Sequence, residues 1–408
     1  MGVTGIADTR KVAFWLLAGV FILYYLGAYY SPFTSSAEDT VFRVLLGLSS
    51  LIIIVRSFYL KNDIGITPYA ILIGLFFLYV LLNSFFISAD LKPVRRALLL
   101  VLLLFLVSRI EVSKNSWIFG FRVLAFFSAA MALFSLINTY RLGLFPMSYR
   151  SLGLEGSGLS GVADFGNTIV AGMHYAIAFA VTAFLYFTDK RNGRVLLWSL
   201  LLAILSAYIV LTFARTAWVA CAIVFVVLGG MLYRRTHWRR YLPPLLVLLI
   251  LLYVFFSYYA GYEFSGRGLT ARDEIWLSTW NSSTASVKTF LFGHGAAKAL
   301  EAKTLSTGEV VYNTHSVYLE ALYRYGAVGL ALLLVIMLGA LNILYKTIKH
   351  HEYGELAVFW LATLVSGSIV MIVELNGLIT TPNLLWHWLW MPVAFALFCQ
   401  VNLNKGTS

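Results

Sequence analysis

Charge is what this sequence lacks most. Only 12% of its 408 residues are Asp, Glu, Lys or Arg, and the acids are the scarcer half, 18 against 30 bases. A soluble globular domain draws about a quarter of its residues from these types to cover its surface, so that class is excluded. Cysteine is nearly absent as well. Cys221 and Cys399 both fall in apolar segments, which argues against a disulfide framework and a thiolate metal site. No HExxH, paired-carboxylate motif, P-loop or dinucleotide fingerprint is present. Acids are too sparse for a tight divalent site, so neither a metal nor a cofactor is expected.

Hydrophobic residues make up 60% of the chain, and the mean hydropathy is +0.83. Apolar stretches of about 18 residues or more recur along its whole length, as bilayer-crossing helices require. The chain therefore reads as an all-α polytopic membrane protein, a single transmembrane domain over residues 1–408. About twelve spans are predicted, roughly at 12–30, 41–58, 66–87, 95–112, 117–138, 168–188, 195–213, 216–233, 241–259, 322–345, 356–374 and 384–401. The first is long for a signal peptide and lacks a small-residue cleavage pattern, so it reads as an uncleaved helix.

An orientation with the N-terminus inside puts Arg10, Lys11, "DKRNGR", "YRRTHWRR" and "KTIKHH" on the cytoplasmic side, as the positive-inside rule expects. Both termini are then cytoplasmic, and the loops at about 139–167 and 260–315 face outward. The net charge of +12 sits at helix ends rather than on one soluble face, which points to membrane lipid rather than nucleic acid. Against the rule, Arg43, Lys92, Arg95, Arg96 and Arg215 fall at outward ends of helices. Arg267, Arg272, Lys288, Lys298, Lys303 and Arg324 sit in or beside the large outer loop. Singly, each fits a snorkelling anchor or a solvated loop residue. Together they suggest an anionic substrate at that face.

Within the loop, "SGRGLTARDEIWLSTWNS" contains a capping-box pattern, Thr270 followed by Asp273. The helix it opens would place Arg272, Ile275, Trp276 and Thr279 on one side. Its tryptophans suit the headgroup level, with Arg272 held near lipid phosphates or merely solvated. Arg215, in "LTFARTAWVA", joins two apolar runs with almost no loop. A charge at that depth needs a partner or a wet cavity, or else marks an interfacial anchor. Guanidinium suits a diphosphate because its planar fork bonds two oxygens at once.

In "NTHSVYLEALYRYGAVGL", Asn313 or Thr314 can cap a helix, which would place His315 in the first turn. Glu320 and Arg324 would form an i,i+4 pair farther along, and Gly326 and Gly329 would permit a bend or close approach. His315 would then stand at the water–membrane boundary, able to take a proton from an arriving hydroxyl, or to serve as an interfacial hydrogen-bonding residue. His174, His294 and His387 are outward alternatives.

"LTFARTAWVA", "GRGLTARDEIW", "FGHG" and "NTHSVYLEALYRYGAVGLALLL" follow one another in this order. That arrangement, over about residues 160–345, resembles the O-antigen ligase/polymerase superfamily, most closely O-antigen ligases of the WaaL type. The resemblance implies a GT-C-like helical fold, with about twelve helices, working at the periplasmic face of a bacterial inner membrane. It implies a donor glycan on undecaprenyl diphosphate, a lipid A–core acceptor, and metal-independent, inverting transfer. The family's essential histidine matches His315. Its essential arginines match Arg215 and one or more of Arg267 and Arg272, with Lys288 as a further candidate. An Asn-Pro-Asn-like element reads "DFGNTIVAG" here, leaving the role of Asn167 open; Arg95, Arg96, Asn313 and His174 are secondary candidates. The nearest rivals are an O-antigen polymerase and a protein O-oligosaccharyltransferase using the same donor. A polytopic transporter is a more distant one.

Overall fold

A computed structural model describes residues 35–59, 67–88, 90–109, 113–143, 162–189, 191–232, 272–298, 310–349, 352–380 and 383–405, with a few isolated positions. Almost all of it is helix. In chain order the helices are α1 (Ser35–Tyr59), α2 (Pro68–Asn83), α3 (Lys92–Arg109), α4 (Lys114–Arg141), α5 (Thr168–Thr188), α6 (Asn192–Leu211) and α7 (Arg215–Leu232). Then come α8 (Arg272–Ser283), α9 (Val287–Phe292), α10 (Val317–Thr347), α11 (Gly354–Val373) and α12 (Met391–Lys405). A two-residue antiparallel pair, β1 (Lys303–Thr304) with β2 (Val310–Val311), closes the loop before α10.

Seven described helical stretches are long and apolar enough to cross a membrane. They coincide with the predicted spans at 66–87, 117–138, 168–188, 195–213, 216–233, 322–345 and 356–374. The described residues of the spans predicted at 41–58, 95–112 and 384–401 are helical but fall outside that group. In α3 the reason is visible: Lys92, Arg95, Arg96 and Arg109 all lie in its 18 residues. The predicted spans at 12–30 and 241–259 lie outside the described residues, save for Tyr25 and Tyr29.

The chain divides into two compact units: residues 1–62, 109–255 and 344–366 form one, and 63–108, 256–343 and 367–408 the other. In the first unit, α5 packs against α4, α6 and α7, and it is buried from Ala171 through Phe187. Small residues let its neighbours come close. A side chain at Gly172 would meet the Ala214 Cβ at 2.7 Å and the Thr212 Oγ1 at 3.0 Å. Asn167 caps the helix, its Oδ1 accepting from the backbone N–H groups of Ile169 (2.8 Å) and Val170 (3.3 Å).

In the second unit, α2 ends in a π-helical turn, Ser84–Ser88, and a second such turn, Trp386–Trp390, opens α12 and is wholly buried. Gly367 lets that turn lie against α11, since a Cβ there would stand 2.5 Å from the Trp388 carbonyl oxygen. Helix α10 is broken at Gly326, whose φ of 67° and ψ of −173° are not helical. The break receives the "FGHG" loop. A Cβ on Gly326 would lie 2.3 Å from the Leu291 oxygen, and one on Gly293 2.4 Å from the Arg324 backbone. Only glycine permits this backbone-to-backbone approach at positive φ.

Candidate active site

The second unit builds a polar cluster where α8, the start of α10 and the end of α11 meet. Its outermost member is His315. Helix α10 begins at Val317, and Ser316 caps it, accepting from Leu319 N at 3.5 Å. Thr314 does not cap. Its hydroxyl instead closes a local turn, donating to the Ser316 carbonyl (2.7 Å) and accepting from the Ser316 N–H (3.2 Å). That turn corrects the expected place of His315 in the first helical turn. The residue lies just before the helix with φ of +49°, in a left-handed region that side chains other than glycine seldom occupy. Trp276 of α8 holds the turn from outside, its indole N–H donating to the Thr314 carbonyl at 3.1 Å.

The His315 ring is held by a residue that sequence reasoning missed, Glu374. The His315 Nδ1 stands 2.9 Å from Glu374 Oε1, and the Arg272 Nη2 donates to Glu374 Oε2 at 2.5 Å. Exposure falls inward from His315, whose side chain is 29% accessible, to Glu374 at 9%. An ionised carboxylate only accepts, so Nδ1 carries a proton, and in the neutral ring the lone pair is then on Nε2. Among the described residues, none is shown bonding Nε2. The signal in the sequence was a single acid ending the apolar run in "MIVELNG". An acid at the end of a membrane span is a functional candidate by its cost alone.

The helix expected from "TARDEIW" is present, and its face is as expected: Ile275 and Thr279 are buried, with Arg272 and Trp276 making the contacts above. Thr270 and Arg267 lie outside the described residues. The Glu320–Arg324 pair forms, Arg324 Nε donating to Glu320 Oε1 at 3.0 Å. Asn313 is half-buried, and its Oδ1 has no hydrogen-bond partner among the described residues. Lys288 is exposed on α9, and Arg95 is exposed near the start of α3. Arg96 is half-buried there, its Nε enclosed without a hydrogen bond among the described residues.

Arg215 belongs to the first unit, at the first position of α7, half-buried. The turn before it is tied down by Trp218, whose indole donates to the Ile209 carbonyl at 3.0 Å, and it contains Phe213 at φ of +54°. A cation at a helix N-terminus opposes the helix dipole, so helix stability does not explain an arginine there.

Of the alternative histidines, His174 and His387 are buried among packed side chains and His294 is half-buried. His174 is buried in α5, stacked 4.4 Å from the Tyr25 ring and edge-on to Tyr29. His387 is buried in the second π turn. His294 stacks on Tyr323 at 4.5 Å, and its Nε2 lies 3.1 Å from the Ser282 carbonyl oxygen. Among the described residues, no group of three His, Cys, Asp or Glu side chains could hold a metal ion.

The family model described as O-antigen ligase matches residues 200–334. The matched segment runs from α6 through Arg215 and α8 into α10, and so takes in the "NTHS" turn. Over that stretch the chain is similar to the O-antigen ligase family, whose members are glycosyltransferase-like ligases and polymerases. No curated protein matches the chain.

Proposed function

From that similarity, we propose that the protein is an O-antigen ligase. It transfers a glycan from undecaprenyl diphosphate to a sugar hydroxyl of lipid A–core at the periplasmic face of the bacterial inner membrane. One observation carries the site assignment: His315 stands half-exposed just before α10 with its ring anchored through Nδ1, leaving Nε2 for an incoming hydroxyl. The acceptor oxygen attacks the anomeric carbon as the bond to the diphosphate oxygen breaks, and the hydroxyl proton passes to Nε2. Attack opposite the leaving group inverts the anomeric centre. The diphosphate departs as an anion already stabilised by cations, so no general acid is required. Arg215 is the first candidate for that role, and Arg267 and Lys288 are further ones. The side chains carry the proton and the charge, so the reaction is read as metal-independent.

A lipopolysaccharide gel of a deletion strain tests this. Complementation with the wild-type gene restores the ladder of core-attached O-antigen, whereas His315→Gln, present in the membrane at the same level, leaves core without glycan and polymer on the lipid carrier. Core bearing a single repeat in the deletion strain would make the protein a polymerase instead. Full complementation by His315→Gln would remove the histidine from the chemistry.

A further inference from the structure

Glu374 occupies a position that helix stability disfavours. It follows Val373 at the carboxyl end of α11, its N–H still donating to the Val370 carbonyl at 2.9 Å, where the helix dipole repels a carboxylate. The backbone around it is constrained. Leu375, the next residue, has φ of +69°, and Gly377 has φ of +76°. The N–H of Gly377 donates to Glu320 Oε2 at 2.6 Å, tying this turn to α10. So the contact between His315 and Glu374 is flanked by two non-glycine residues in left-handed backbone, His315 itself and Leu375. Strain of this kind persists where the surrounding structure over-determines it, and it clusters at functional sites.

We infer that Glu374 is a positioning residue of the transfer reaction: its carboxylate holds the Nδ1 proton of His315 and points Nε2 outward as the base. Arg272 acts through Glu374, fixing the carboxylate from its other oxygen, rather than by binding the donor diphosphate itself. This rests on the transfer proposed above. The proton balance is simple. The acceptor proton arrives at Nε2 while the Nδ1 proton stays in its bond to Oε1, and the resulting imidazolium faces a carboxylate that stabilises it. After the product leaves, the Nε2 proton is lost to water and the base is restored. Without the carboxylate, either ring tautomer can form and the ring is free to turn.

The test compares Glu374→Gln, Glu374→Asp and Arg272→Gln with wild type and His315→Gln. All are full-length proteins in lipid nanodiscs, assayed with a lipid-diphosphate-linked glycan and lipid A–core. Glutamine keeps the volume but loses the charge, so it would satisfy a purely structural site; aspartate keeps the charge on a shorter arm. The expected kcat falls about 100-fold or more in Glu374→Gln, with the donor KM within about threefold of wild type, and Glu374→Asp recovers at least about tenfold of that loss. Arg272→Gln should follow the same pattern, a lower kcat at unchanged donor KM. Near-wild-type kcat in Glu374→Gln, or Gln outperforming Asp, overturns the positioning role. A donor KM that rises in Arg272→Gln at constant kcat returns that arginine to the diphosphate. If Glu374→Gln does not fold, Glu374→Asp decides alone: a reduced kcat at unchanged KM supports the role, and a wild-type kcat refutes it. A wild-type protein that transfers no glycan defeats the underlying reaction, whereas an active wild type with a dead His315→Gln and a fully active Glu374→Gln defeats only this inference.

Discussion

The second unit contains two glutamate–arginine pairs a few residues apart in space, and they are built to opposite ends. Glu320 pairs with Arg324 on the same helix, one oxygen to the Nε and the other to the Gly377 N–H, while the Arg324 Nη1 donates to the Ala296 carbonyl at 3.1 Å. Beyond the two side chains themselves, these partners are backbone groups, so the pair closes on itself and ties α10 to the two loops beside it. Glu374 instead joins three separate elements, taking Arg272 from α8 and His315 from the start of α10. Its last partner is half-exposed, and none of the described residues is shown bonding that partner's second ring nitrogen. A closed pair makes a strut; an open one hands its order on to a side chain that can react. The difference lies in connectivity and not in residue type, since both pairs consist of one glutamate and one arginine.

Three substitutions probe that contrast, beginning with the most damaging. Gly326→Ala puts a Cβ into the Leu291 carbonyl at positive φ, with no flexible side chain to give way, so the folded protein should be lost outright. Recovery of a monodisperse peak at wild-type yield on size exclusion would show that the loop and helix do not interlock. Glu320→Ala leaves Arg324 half-buried without its carboxylate. A loss of about 3 kcal/mol is expected, read as a lower melting midpoint in detergent, with kcat per folded molecule little changed. If activity falls and stability holds, the strut belongs to the catalytic machinery after all. Trp276→Phe removes a single bond to the Thr314 carbonyl, for about 1 kcal/mol of stability. A several-fold drop in kcat should accompany it, because the turn carrying His315 loses its outer support.

Much of this was legible before any coordinates. The hydropathy pattern found the seven apolar helices within a few residues, and the spacing in "TARDEIW" and "LEALYR" named the right faces and the right ion pair. The errors have local causes. Thr314 looked like a cap, but its hydroxyl was already engaged in a turn with Ser316, which displaced the helix start and moved His315 out of it. His174, a secondary candidate by residue type alone, is buried among aromatic rings where small residues along α5 let its neighbours close in. Asn167, left open by its departure from the family pattern, is explained within the structure as a helix cap. Glu374 was passed over because one acid at the edge of an apolar run has no local partner. Its partners lie 59 and 102 residues away in sequence, a pairing that only the tertiary fold creates.

The break at Gly326 also sets a depth. As an unbroken rod, the 31 residues of α10 would be about 46 Å long at 1.5 Å per residue, well beyond a hydrocarbon slab of about 30 Å. The stretch after the break, 327–347, measures about 31 Å by the same rise and matches the slab almost to the residue. If that stretch crosses the bilayer, the short one before it, with Glu320 and Arg324, falls at the level of the lipid headgroups. A substrate whose sugar and phosphates ride on a membrane-anchored tail presents them at that level already. It could be served there by lateral diffusion alone, without being lifted out of the bilayer.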